Sequence, residues 1–64
     1  MYTAFSYEEN THNKIYECFG NTKAEAAGLF FFRTKGKEGI TCFLCEVDEN
    51  KNLIGGIELV KNWL

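Results

Sequence analysis

The chain has no proline, against an average usage of about 5%, which excludes a proline-rich linker or a polyproline ligand. Its cysteines number three, Cys18, Cys42 and Cys45. An odd set cannot close a full disulfide framework within one chain, and secreted domains of this size usually carry an even one. They are therefore read as small apolar residues in a reducing, cytoplasmic setting. No apolar run approaches the ~20 residues of a membrane span. The start, Met1-Tyr2-Thr3-Ala4, lacks the basic segment and apolar stretch of a secretory signal. Basic excess is missing too: seven Lys and Arg stand against nine Asp and Glu, a formal charge of −2. That argues against a generic binder of phosphate backbones.

What is present is globular. The 64 residues make one domain, 1–64, and 45% of them are hydrophobic. A chain this short buries only about 60% of its unfolded surface, so its core is small. One Trp, three Tyr and six Phe are far more aromatics than a disordered chain carries. The charges cluster. Glu8-Glu9 and then Glu46, Asp48 and Glu49 are acidic, and Lys35-Gly36-Lys37 is the only basic group. Acidic clusters keep a small domain soluble, and they also steer it toward a basic partner.

Alternation predicts a strand over 2–8, with Thr3, Phe5 and Tyr7 on one face and Tyr2, Ala4 and Ser6 on the other. The polar turn 9–13 holds two Asn, which tolerate left-handed geometry. Residues 14–19 predict a second strand, with Ile15 and Phe19 flanking Glu17 on one face. Thr22 followed by Glu25 has capping-box spacing, so a helix is expected from there to about Arg33. Gly28 inside it costs about 1 kcal/mol against Ala, and the expected return is a close approach to the sheet. Residues 40–47 are apolar on both faces, which predicts a central strand. A turn at 48–52 leads to a last strand at 53–60, with Gly55-Gly56 expected as a bulge. A short helix over 57–64 competes for the end of the chain, because Ile57, Val60 and Leu64 also match helical spacing. One helix over one face of an antiparallel sheet is the natural two-layer solution. The predicted class is α+β, in ββαββ order.

The run Leu29-Phe30-Phe31-Phe32 falls inside the predicted helix. Four large apolar side chains there span about 300° at roughly 100° per residue, more than one sheet face can cover. With Ala27, Gly28 and Phe31 facing the sheet, Phe32 or Phe30 leans outward. Trp63, near the chain end, is a second aromatic expected at the surface. Exposed aromatics are enriched in interface cores. The alternative is that all three rings tuck under a flanking loop and edge strand.

Tests for chemistry come out against an enzyme. Cys42-x-x-Cys45 has metal or redox spacing, but residues three apart on a strand point to opposite faces. His12 sits in a polar turn with no nucleophile placed beside it. Glu8, Glu9 and Glu17 approach across the first hairpin, where solvated carboxylates are the simpler expectation, and a domain this small has little room for a substrate cleft. Gly55-Gly56 lacks the Lys and Ser/Thr of a phosphate loop. Tyr2, Tyr7, Tyr16 and Phe43 are placed to stack bases, but sheet-based binders interleave Arg and Lys, and this chain has a single Arg. No cofactor and no metal are expected.

The segment Gly20-Asn21-Thr22-Lys23-Ala24-Glu25-Ala26 resembles the Gly-x-Thr-x-x-Glu-Ala segment that opens the helix in HicB-like antitoxin domains. The resemblance covers seven residues and implies a ββα opening and a protein-binding role, with no residue role attached. The expectation from sequence is a small acidic, non-enzymatic module that occupies a partner's surface, by analogy with inhibitors carried by phages and mobile elements. Glu8, Glu9, Glu46, Asp48 and Glu49 would carry recognition of a basic protein surface, such as that of a nucleic-acid-binding protein. Phe32 and Trp63 would anchor it or close a homodimer. The alternatives are a sheet-face binder of single-stranded nucleic acid and a HicB-like antitoxin-type domain.

Overall fold

A computed structural model of the chain describes residues 1–60. The elements run β1 (Tyr2–Tyr7), β2 (Lys14–Gly20), α1 (Lys23–Arg33), β3 (Cys42–Val47) and β4 (Leu53–Val60). All four strands form one antiparallel-paired sheet in the order β2-β1-β3-β4. The α+β class, the ββαββ order and the central position of β3 are as the sequence predicts. Residues 57–60 are strand, so the helix considered for 57–64 does not form there. Its remainder, with Trp63, lies outside the described residues.

Local chemistry explains the elements. Thr22 caps α1, its Oγ1 accepting from the Glu25 N–H at 3.1 Å. At the other end, the Thr34 N–H and hydroxyl both donate to the Phe30 carbonyl at 3.0 Å. The two hairpin turns share a plan: each opens on an acid whose carboxylate caps the turn. Glu8 Oε2 accepts from the N–H groups of Asn10 and Thr11 at 3.0 and 2.8 Å, and from Thr11 Oγ1 at 2.8 Å. Asp48 Oδ1 accepts from the N–H groups of Asn50 and Asn52, both at 2.9 Å. The left-handed residues in these turns are His12 (φ 60°) and Lys51 (φ 66°), not the asparagines.

Helix α1 packs on the sheet face that carries Ala4, Cys42 and Leu44, and these join Ala26 and Phe30 in the core, with Tyr2, Tyr16, Cys18, Phe31, Ile40 and Val60 packed around it. Two expectations about this contact are corrected. The buried helix residues are Ala26, Ala27 and Phe30 rather than Gly28 and Phe31. Gly28 makes no close approach, because a Cβ built there meets nothing within 4 Å. The tight contact belongs to Gly20, where a Cβ would stand 2.6 Å from the backbone nitrogen of Ala26. A side chain there would prise the helix start away from β2.

A bulge also overturns one predicted face. Ser6 pairs with Ile15 and Ala4 with Cys18, so two residues of β2 oppose one of β1, and Tyr16 absorbs the extra residue at φ 57°. Ile15 therefore shares the helix side with Ser6, while Phe19 shares the far side with Thr3. The same shift brings Lys14 and Glu17 together at 3.7 Å, which unbroken alternation would forbid.

The far side of the sheet carries no helix, yet Thr3, Phe5, Cys45 and Val47 are buried there. Phe5, Tyr7 and Phe43 cluster with ring centroids 5.3–5.9 Å apart, and Lys14 Nζ lies 5.2 Å from the Phe5 ring. From the β3–β4 turn, Lys51 Nζ reaches to 4.7 Å from the Phe19 ring on β2. To span β1 in this way the β3–β4 hairpin must coil over the open face. Its bend is at Gly55 (φ 85°), where the register slips opposite Cys45. A non-glycine residue is strained at that φ.

Candidate functional site

The structure separates the five acids expected to act together. Tyr2 pairs with Glu46 and Phe5 with Phe43, so the β1–β2 turn and the β3–β4 turn lie at opposite ends of the sheet. Glu8 and Glu9 stand at one end; Glu46, Asp48 and Glu49 stand at the other. The Glu8 carboxylate is held below the usual range, first by the Thr11 hydroxyl and then by the Thr11 and Asn10 N–H groups. It and Asp48 are turn-builders, which leaves Glu9, Glu46 and Glu49 with exposed side chains at the two ends.

The phenyl run divides three ways. Phe30 is fully buried, Phe31 is half-buried with its ring edge-on to Phe30 at 5.5 Å, and Phe32 is 78% exposed. Leu29, 47% exposed, lies three residues before Phe32 and so beside it on the outward helix face. These two are the apolar anchor the helix offers.

Two hollows flank the sheet. An open groove of about 640 Å³ is lined by the β1–β2 turn and the loop before β3, including Glu9, His12, Ile15, Ile40, Thr41 and Phe43. A smaller hollow of about 170 Å³ lies between the start of α1 and β4, lined among others by Lys23, Glu46, Ile54 and Glu58. Here Lys23 Nζ pairs with Glu58 Oε1 at 3.2 Å.

Of the four rings considered for base stacking, Tyr2 and Tyr16 pack beside the helix-side core. Tyr7 and Phe43 remain on the open face, tilted 58° to one another at 5.4 Å. Cys42 lies in the helix-side core, and Cys45 Sγ sits on the other face near the carbonyls of Ile54 and Gly55 at 3.7 and 3.8 Å. The two thiols are thus divided as the strand alternation requires. Burial first, and then the charge of Cys18, push the Cys42 thiol up to about 11. Among the described residues, no group of three His, Cys, Asp or Glu is placed to hold a metal ion. No helix among them is long and apolar enough to cross a membrane.

One surface escaped the sequence reading. β4 is exposed along its length, with Leu53, Ile54, Ile57 and Leu59 each 38–48% open. The signal was present: LIGGIELV carries apolar residues on both faces, as a central strand does, but it stands at the edge.

No protein-family model, no curated protein and no solved structure matches this chain. The HicB-like resemblance therefore rests on its seven residues and on the strand-strand-helix opening alone.

Proposed function

We propose that this chain is a small non-enzymatic protein-binding module that works by covering a surface of another protein. The observation that carries the reading is Phe32, 78% exposed beside Leu29 on the outward face of α1. A large aromatic that contributes nothing to the core, next to a second apolar side chain, has the composition of an interface anchor. Glu9 supplies acidic charge at the end of the sheet toward which α1 runs, and Glu46 and Glu49 supply it at the far end. A basic partner surface complements either end. Occupation of a nucleic-acid-binding protein's basic surface, in the manner of an inhibitor, fits this charge and the chain's size.

The test is retention of a partner from host lysate by the immobilised wild-type chain, by Phe32→Asp and by the pair Glu46→Lys with Glu49→Lys. Wild type should retain a protein that Phe32→Asp releases and that rising salt weakens. Equal retention by wild type and Phe32→Asp removes the anchor. The rival, a binder of single-stranded nucleic acid through Tyr7 and Phe43, predicts salt-sensitive binding of an oligonucleotide instead.

A further inference from the structure

Strand β4 closes the sheet on one side, and among the described residues nothing is paired to its outer edge. Edge strands are usually guarded by Lys, Pro, inward charge or a covering element. β4 has no Lys and no Pro, and its only charge is Glu58, already paired with Lys23 at 3.2 Å. No Cα of α1 comes within 8 Å of one in β4. Among the described residues its guarding devices are the bend at Gly55 and the single charge of Glu58 on the helix face. Four apolar side chains, on both faces, remain 38–48% exposed.

We propose that β4 pairs antiparallel with β4 of a second copy of this chain, about a two-fold axis through Gly56, making one continuous eight-stranded sheet. Which face each residue occupies requires an axis through a residue rather than between two. Leu53 and Leu59 pair with Val47 and Phe43, so both lie on the open face; Ile54 and Glu58 pair with Glu46 and Leu44, so both lie on the helix face. An axis through Gly56 sets Leu53 opposite the partner copy's Leu59, and Ile54 opposite its Glu58. Faces match in each case, as antiparallel neighbours require. The apolar residues Leu53, Ile57 and Leu59 of both copies then form one stripe.

Strand length and charge together select this register over its neighbours: an axis on Gly55 leaves only residues 53–57 opposite one another, and axes beyond Gly56 bring the two Glu58 charges together. With the axis on Gly56, the two Glu58 positions are four residues apart along the pair, about 13 Å at ~3.3 Å per residue, beyond the ~8 Å screening length at physiological salt. Moving the axis to Ile57 brings them into diagonal contact at about 7–8 Å, and an axis on Glu58 sets them face to face. The identical strand is also a partner that adds no uncompensated charge, since each Glu58 brings its own Lys23. Seven paired residues in each copy, about 23 Å of strand, make an interface at the low end of the size range, below about 1,200 Å². The dimer is therefore weak and concentration-dependent. It leaves Phe32 and the helix face free, so it stands apart from the surface proposed above.

Sedimentation equilibrium over a wide concentration range reads the association directly. Wild type should pass from monomer to dimer, and Leu59→Lys should weaken dimerisation at least about tenfold, or ~1.4 kcal/mol. Phe32→Asp should leave it unchanged. Circular dichroism confirms that each variant keeps its fold. Mild oxidation in a Cys18→Ala background reads the register. Gly56→Cys, where a Cβ meets nothing within 4 Å in the single chain, should cross-link to itself across the axis. Leu59→Cys, about 20 Å from its own copy at ~3.3 Å per residue, should not. A monomer at every concentration overturns the proposal. So does a dimer unaffected by Leu59→Lys, or one that cross-links through Leu59→Cys but not Gly56→Cys.

Discussion

At one side of the sheet, β2 has α1 laid over its inner face and the Arg33 guanidinium on its Glu17 carbonyl at 3.3 Å. Tyr16, at φ 57°, kinks its edge, and Lys14 and Glu17 pair along it at 3.7 Å. At the other side, β4 has a longer run, four exposed apolar side chains and one charge. The helix reaches β3 but stops short of β4. The difference follows from topology. The β2–α1–β3 connection passes over β1, so the single helix covers the half of the sheet it joins. An eleven-residue helix cannot cover four strands. In a chain whose core is this limited, the uncovered strand is the natural place for an interaction.

Removing what holds the helix should bring the guarded side closest to the bare one. Phe30→Ala empties the centre of the helix–sheet contact and should cost about 3–5 kcal/mol, enough to unfold a domain of this size in a denaturant titration. Phe32→Ala, two residues on, should change stability by no more than about 0.5 kcal/mol. Equal losses would mean that the outward ring is packed after all. Gly20→Ala forces a Cβ to within 2.6 Å of the Ala26 nitrogen and should cost about 1–3 kcal/mol. Gly28→Ala, with open space around it, should instead stabilise by about 0.5–1 kcal/mol.

The buried thiol offers a pH probe of the same contact. The fold shelters the neutral Cys42 thiol, whose value rises from 9.0 to about 11. Its contribution is complete below pH 9.0 and is lost as pH climbs through about 11. At neutral pH a thiol reagent should label half-exposed Cys18 first, and Cys42 only when the helix lifts. Cys42 labelling as fast as Cys18 would contradict a closed helix–sheet layer. Smallest of all, Arg33→Ala strips one exposed hydrogen bond from the β2 edge and should cost about 0.5 kcal/mol, read as faster amide exchange in β2 with β4 unchanged.

Much of the architecture was legible in the residues. Alternation placed β1 and β3, Thr22 with Glu25 placed the helix start, and Gly55-Gly56 marked the irregularity in β4. What stayed hidden depended on backbone states that residue types do not announce. Tyr16 takes a left-handed conformation that bulky residues rarely adopt, so the bulge in β2 and the move of Ile15 to the helix side had no composition signal. Gly28 looked like the close-approach glycine because it lies in the helix; Gly20 holds that place because β2 ends directly under the first turn of α1. The acidic residues read as one recognition surface in sequence. Strand pairing puts them at opposite ends, and Glu8 and Asp48 spend a carboxylate oxygen on their own turns. Exposure of β4 was invisible because a two-sided apolar strand is ordinarily a central one, and only the strand order shows that it is not.

Backbone amide exchange measured at low and at high protein concentration tests the central contrast most directly. Protection of amides in Leu53–Val60 should rise with concentration while that in Lys14–Gly20 stays constant. Protection in β4 that is independent of concentration, or that rises equally in both edge strands, would contradict it.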